Sequence, residues 1–166
     1  YGARGLLPHE YVHSWNGKFR LGKDLWTPDY RTRLENSMLW VYEGQTQLYG
    51  FVLAARSGLW SKQDALDAIA STAATYGDGT PGRAWRALVD TTNDPIIANR
   101  APQAWRSWQR SEDYYSEGLL IWLDVDRIIR QQSGGRRSLD DFARAFFGMR
   151  PGDWGELPYD LGEIVA

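Results

Sequence analysis

The chain contains two histidines, and they bracket a glutamate in the run His9-Glu10-Tyr11-Val12-His13. On a helix, residues four apart share a face, about 40° apart around the axis and roughly 6 Å along it. Two imidazole nitrogens so placed can reach one tetrahedral metal ion, while Glu10 faces the same solvent pocket without having to ligate. The H-E-x-x-H order is a zinc-hydrolase signature, with the histidines as ligands and the glutamate as general base. Histidine is scarce, so the run should arise by accident in well under about one chain of this length in a hundred. The competing reading is a pair of hydrogen-bonded core histidines.

A catalytic zinc usually has three protein ligands and one open position. With no further histidine and no cysteine in 166 residues, the third ligand must be a carboxylate. The candidates are Asp24 and Asp29 in the near loop, then Glu35, Glu43, Asp90, Asp94, Glu112 and Glu117. Glu43 is favoured because it follows Leu39-Trp40-Val41-Tyr42, where burying a carboxylate is costly unless it is paired or metal-bound. The competing reading places it on the exposed face of an amphipathic helix. Glu35, at the start of that helix, is better explained by the favourable dipole there.

The elements that must position these groups read as helices. The first carries the motif from roughly Leu6 to Lys18, with Pro8 tolerated in its first turn. Arg20 to Arg33 reads as a loop. A second helix spans about Leu34 to Ser57 with a broad apolar face, and Gly58 ends it. Ser61, with Asp64 three residues on, caps a third helix to about Tyr76. Residues 77–82 break the chain, and Arg83 to Pro102 reads as a long irregular connection of the kind that is often functional. A fourth helix runs from about Asp113 to Gln132, stopped by Gly134-Gly135. Ser138 caps a fifth through Phe147 and Gly148, and residues 160–166 read as the first turns of another. Strand-like alternation is nearly absent, so the expected fold is mostly α: one domain over residues 1–166 with about five main helices.

Composition narrows the function classes. Apolar residues make up 43% and the net charge is −2, with acidic and basic residues interspersed, so the chain lacks the basic stripe of a nucleic-acid or anionic-membrane binder. Without cysteine, Cys-based zinc sites and disulfide scaffolds are excluded. No apolar run approaches a membrane span, and no signal peptide is visible. The compartment is left undecided by the residues, with a soluble protein of the cytoplasm or periplasm expected. Nine tryptophans and nine tyrosines should mostly pack the core, with a few available to line a peptide cleft.

H-E-x-x-H followed on a second helix by Trp40-Val41-Tyr42-Glu43-Gly44 resembles the gluzincins, the thermolysin-like zinc peptidases. More narrowly, residues 9–18, Asp24-Leu25-Trp26-Thr27-Pro28-Asp29-Tyr30 and Leu39 to Gly44 resemble the PDZ-containing glycyl aminopeptidase family. Asp113-Tyr114-Tyr115-Ser116-Glu117-Gly118 and Ser138 to Gly148 extend the likeness over nearly the whole chain.

The resemblance implies a helical catalytic subdomain binding one Zn2+ through His9, His13 and Glu43, with Glu10 as general base. It also implies that the tyrosine of a Y-x-x-G motif, Tyr115 with Tyr114 as fallback, donates its hydroxyl to the oxyanion. Gln47, one turn beyond Glu43, could join the outer shell but reads more simply as a surface or packing residue. The expected activity is release of small N-terminal residues, glycine or alanine, from peptides. The alternatives are a thermolysin-like endopeptidase and a catalytically silent peptide-binding domain. Family members carry a β-rich region before the motif helix and a PDZ domain after the helical part, so Tyr1 and Ala166 read as the ends of an excised piece. Such a piece should expose an apolar patch near Glu10, where the β half docks.

Overall fold

The computed structural model describes residues 2–78, 81–93, 110 and 112–166. Among these are six α-helices: α1 (Gly2–Val12), α2 (Leu39–Arg56), α3 (Lys62–Asp78), α4 (Asp113–Gln132), α5 (Leu139–Phe147) and α6 (Leu161–Val165). Two short strands, β1 (Arg20–Gly22) and β2 (Leu157–Tyr159), pair in parallel with Arg20 opposite Leu157. The fold is mostly α, as the periodicity of the sequence implies. No helix among the described residues is long and apolar enough to cross a membrane.

Helix α2 is the axis of the fold, with α1 and α4 packed against it. Glycine sets both crossings. A Cβ added to Gly44 would fall 2.7 Å from the Gly118 Cα, and one added to Gly118 would fall 2.8 Å from the Gly44 Cα. Helices α2 and α4 therefore touch backbone to backbone, a separation that larger side chains forbid. Further along α2, a Cβ on Gly50 would sit 3.1 Å from the His9 Cβ, so α1 presses on α2 at its metal-motif turn. The core spreads from these contacts through Met38, Val41, Leu48, Leu119, Trp122, Leu139, Phe146 and Tyr159. The Trp122 indole N–H donates to the Trp40 carbonyl at 3.1 Å while the two rings stack.

The strand pair closes the far side. Arg20 is fully buried, and such a cation is tolerated only when every part of it finds a partner. Its guanidinium lies 4.0 Å over the Phe146 ring and donates to the Phe146 carbonyl at 3.2 Å and to Glu163 at 2.6 Å. One cation thus holds α5, α6 and the segment after α1 together.

Helix ends are where structure and sequence pattern part. Helix α1 starts and stops earlier than the apolar pattern suggests, and His13 lies just beyond it. The amides of Trp15 and Asn16 both donate to the Val12 carbonyl, at 2.9 and 3.1 Å, closing a turn just past the helix end. Helix α2 starts at Leu39 rather than Leu34, because Asn36 adopts a left-handed conformation (φ 57°) that no α-helix can contain. Glu35 therefore precedes the helix by more than a turn, and the dipole explanation for it fails. The segment read as a loop over Arg20–Arg33 contributes β1, too short to show alternation. Part of the connection read as irregular forms 3-10 turns at Pro81–Ala84 and Leu88–Asn93, and residues 94–102 lie outside the described residues. The Ser61 and Ser138 caps are present: Ser61 and Ser138 each exchange hydrogen bonds with the acidic residue three positions on. Helix α4 has the limits read from sequence.

The crossing makes a test of opposite signs. Gly118→Ala should destabilise the chain by about 1–3 kcal/mol through the Cβ clash. Gly77→Ala, in α3 with nothing within 4 Å of its added Cβ, should stabilise it by up to about 1 kcal/mol through helix propensity. Urea unfolding midpoints measure both.

Candidate metal centre

The packing of α1 on α2 brings three donor atoms to one point. His9 and His13 Nε2 are 3.1 Å apart, and Glu43 Oε2 lies 3.3 Å from the first and 3.4 Å from the second. These are the only three His, Cys, Asp or Glu residues among the described ones that cluster closely enough to hold a metal. Bonds of about 2.0–2.1 Å at tetrahedral angles give donor separations of about 3.3 Å. The observed triangle has those dimensions.

Burial makes the same point energetically. His9 is 7% exposed and Glu43 is largely buried, yet Glu43 Oε2 has no hydrogen-bond partner although both imidazoles face it. A buried carboxylate oxygen without a partner is costly, and a cation at the centre of the triangle removes that cost. The donor set, two imidazoles and one carboxylate, is that of a catalytic zinc site with an open position.

The ligand-bearing elements are tied together by Asn16, which is fully buried. Its backbone carbonyl accepts from His13 Nδ1 at 2.8 Å, which leaves Nε2 free to face the triangle. Its side-chain amide donates to the Val41 and Tyr42 carbonyls, at 3.0 and 3.1 Å, on the turn that carries Glu43. Its Oδ1 accepts the Tyr159 hydroxyl at 3.1 Å. Asn16 is a positioning residue for both His13 and Glu43. The sequence reading noted it only as part of a motif; the signal was an amide and a glycine, Asn16-Gly17, immediately after a ligand turn.

Charge within the triangle is shared. Burial works to raise the Glu43 carboxyl, but the imidazoles of His13 and His9 prevail and hold it below its usual range. Burial works to lower His13, but Glu43, the Asn16 carbonyl and Glu10 prevail and raise it.

Glu10 is exposed beside His9 and lines a cleft of about 730 Å³ together with His9, Gln47 and Tyr115. Of the two tyrosines, Tyr115 faces this cleft, with its ring 5.9 Å from that of His9. Burial and the neighbouring Glu43 charge push its hydroxyl far up, so it stays a proton donor. Tyr114 is 8% exposed, is not among the residues lining this cleft, and is pushed up to about 12 by burial and by Glu112. Gln47 is a cleft residue rather than simple surface.

The other candidate carboxylates are occupied elsewhere or stand apart. Asp24 accepts from the Ser37 amide, and Asp29 closes its own turn with Arg31 and Thr32. Glu117 binds Arg110 and Arg83, while Arg110 also donates to Asp113 at 2.9 Å, so this network anchors the start of α4 and hence Tyr115. Glu112 is the N-cap residue of α4, Asp90 lies on a 3-10 turn, and neither joins the triangle. Asp94 lies outside the described residues.

Two outcomes follow from this geometry. Asn16→Ala should weaken metal binding by about 10- to 100-fold, measured by competition with a chromogenic chelator. In the metal-free protein the shifts of His13 and Glu43 have opposite signs, and these fix the pH window. The raised His13 contributes stability that is complete below 6.5 and is lost as pH rises through its folded value; the lowered Glu43 contributes stability that is complete above 4.5 and is lost as pH falls. The metal-free protein should therefore gain stability from these two groups between about pH 4.5 and 6.5 and lose it as pH rises through the raised His13 value, while added metal, which displaces the proton, should stabilise most above that value. Thermal melts with and without metal across that range measure both.

A search of curated proteins finds no match to the chain. The profile of the M61 glycyl aminopeptidase family matches residues 2–121, which take in α1, α2 and the Tyr115 end of α4. With that match over most of its length, the chain belongs to the M61 glycyl aminopeptidase family of peptidases.

Proposed function

We infer that this chain is the helical catalytic part of a zinc-dependent aminopeptidase that releases small N-terminal residues, glycine or alanine, from peptides. The observation that carries the reading is the 3.1–3.4 Å triangle of His9, His13 and Glu43 with Glu10 and Tyr115 facing the cleft beside it. His9, His13 and Glu43 would hold the ion. When bound, zinc polarises the scissile carbonyl and makes water a better nucleophile at neutral pH.

The chain's own groups do the rest. Glu10, exposed to the cleft, takes a proton from the attacking water and passes it to the leaving amine. Tyr115 keeps its proton and offers it as a hydrogen bond to the carbonyl oxygen as negative charge develops there. Asn16 holds the His13 ring and the Glu43 turn in register throughout.

The partners we propose are the peptide substrate and, in the same polypeptide, a β-rich region upstream and a PDZ domain downstream. Leu6 and Tyr11 are 57% and 61% exposed on α1 near Glu10, an apolar face suited to the β-rich part.

Glu10→Gln should abolish glycyl-p-nitroanilide hydrolysis while leaving zinc uptake intact. Tyr115→Phe should lower kcat by about 10²- to 10³-fold with little change in KM. The N-acetylated substrate should be inert, and its hydrolysis at a similar rate would make the protein an endopeptidase instead.

A further inference from the structure

The metal-bearing turn is braced from the opposite end of the chain. Tyr159, in β2, is 1% exposed, and its hydroxyl donates to Asn16 Oδ1 at 3.1 Å. That hydroxyl is held firmly in place. The Tyr159 carbonyl accepts from the Lys23 amide at 2.8 Å, and the Leu157 amide donates to the Phe19 carbonyl at 2.7 Å, so β2 is clamped to the segment that follows His13. The Tyr159 ring meets Phe146 edge to face with centroids 5.2 Å apart. Residues 157–159 lie beyond the stretch, 2–121, that the family profile matches.

The role of the hydroxyl follows from the Asn16 side chain it meets. The Asn16 amide nitrogen faces four acceptors: the carbonyls of Val41 and Tyr42 at 3.0 and 3.1 Å, Gln45 Oε1 at 3.3 Å and Thr46 Oγ1 at 3.4 Å. Its oxygen takes the Tyr159 hydroxyl, which burial pushes far above its usual value and so keeps as a donor. Half a turn of the amide would set the oxygen against those four acceptors. Without the Tyr159 donor, Asn16 Oδ1 is a buried acceptor lacking its partner, and the side chain gains by moving. Asn16 is also the residue whose carbonyl holds His13 Nδ1 and whose amide holds the turn carrying Glu43. We propose that Tyr159 is a positioning residue of the metal centre, its hydroxyl fixing the Asn16 amide that in turn holds His13 and Glu43. The proposal rests on the three-ligand reading of the site given above. Strand β2 then belongs to the metal centre although it contributes no ligand to it.

The test measures the zinc affinity of the full-length protein by competition with a chromogenic chelator, with the urea midpoint of each variant recorded alongside. Tyr159→Phe keeps the ring and removes one oxygen, and it should weaken zinc binding by about tenfold. In an Asn16→Ala background the same change should cost nothing further, within about twofold, because the hydroxyl acts through the amide. Leu157→Ala, which trims β2 but leaves the hydroxyl, should lower the urea midpoint and leave zinc affinity within about twofold of the unaltered protein. Unchanged affinity in Tyr159→Phe would overturn the proposal and leave the three-ligand site standing. Losses that multiply in the double variant would also overturn it, as would a Leu157→Ala protein that loses as much affinity as Tyr159→Phe. Failure of the unaltered protein to bind zinc would overturn the three-ligand reading and the proposal with it.

Discussion

The site depends on two close helix contacts, one that only glycine permits and one that an added Cβ would crowd. Gly44 against Gly118 sets the distance between α2 and α4, and Gly50 against the His9 backbone sets the distance between α1 and α2. Both glycines of α2 lie within two turns of Glu43, and Gly118 lies one turn from Tyr115. A glycine inside a helix costs about 1 kcal/mol relative to alanine, so three of them at helix contacts carry a real propensity penalty. The return is that two imidazoles, a carboxylate and a phenol from three helical regions meet within a few ångströms.

That convergence creates an electrostatic problem that the surroundings only half solve. Asn16 satisfies the outer nitrogen of His13, and the imidazoles draw down the Glu43 carboxyl, but Glu43 Oε2 is left without a hydrogen bond. The triangle holds two imidazoles and a carboxylate at a spacing that fits a metal ion, with Glu43 Oε2 3.3 and 3.4 Å from the two histidine nitrogens. Around it, the fully satisfied network of Arg110, Asp113 and Glu117 and the stacked Arg20 show what buried charges look like where the role is purely structural.

Much of this was legible in the residue order, and the exceptions have physical causes. His9, His13 and Glu43 were readable because metal chemistry restricts both residue type and spacing, and the structure brings those three together. Helices capped by side chains, such as α5 behind Ser138 and α3 behind Ser61, were placed well. Ends fixed by backbone conformation were not: α2 begins after a left-handed Asn36, and α1 ends at Val12 in a turn closed on the Val12 carbonyl. Strand β1 was hidden because a three-residue strand has no measurable period, and its partner lies at the opposite end of the chain. Asn16 escaped because its role is long-range, linking the His13 turn to α2 and to Tyr159. The close contacts of the α2 and α4 glycines were not read from the sequence, although a helix-interior glycine usually has a packing reason.

The central claim is that helix packing alone assembles a three-ligand metal site from His9, His13 and Glu43. X-ray absorption at the zinc edge, on protein whose metal content per chain is measured in parallel, tests it most directly. The account predicts one zinc per chain, nitrogen and oxygen neighbours only at about 2.0–2.1 Å, and the outer-shell scattering of two imidazoles, with occupancy lost in Glu43→Ala. Failure to take up zinc, or uptake unchanged by Glu43→Ala, would contradict it.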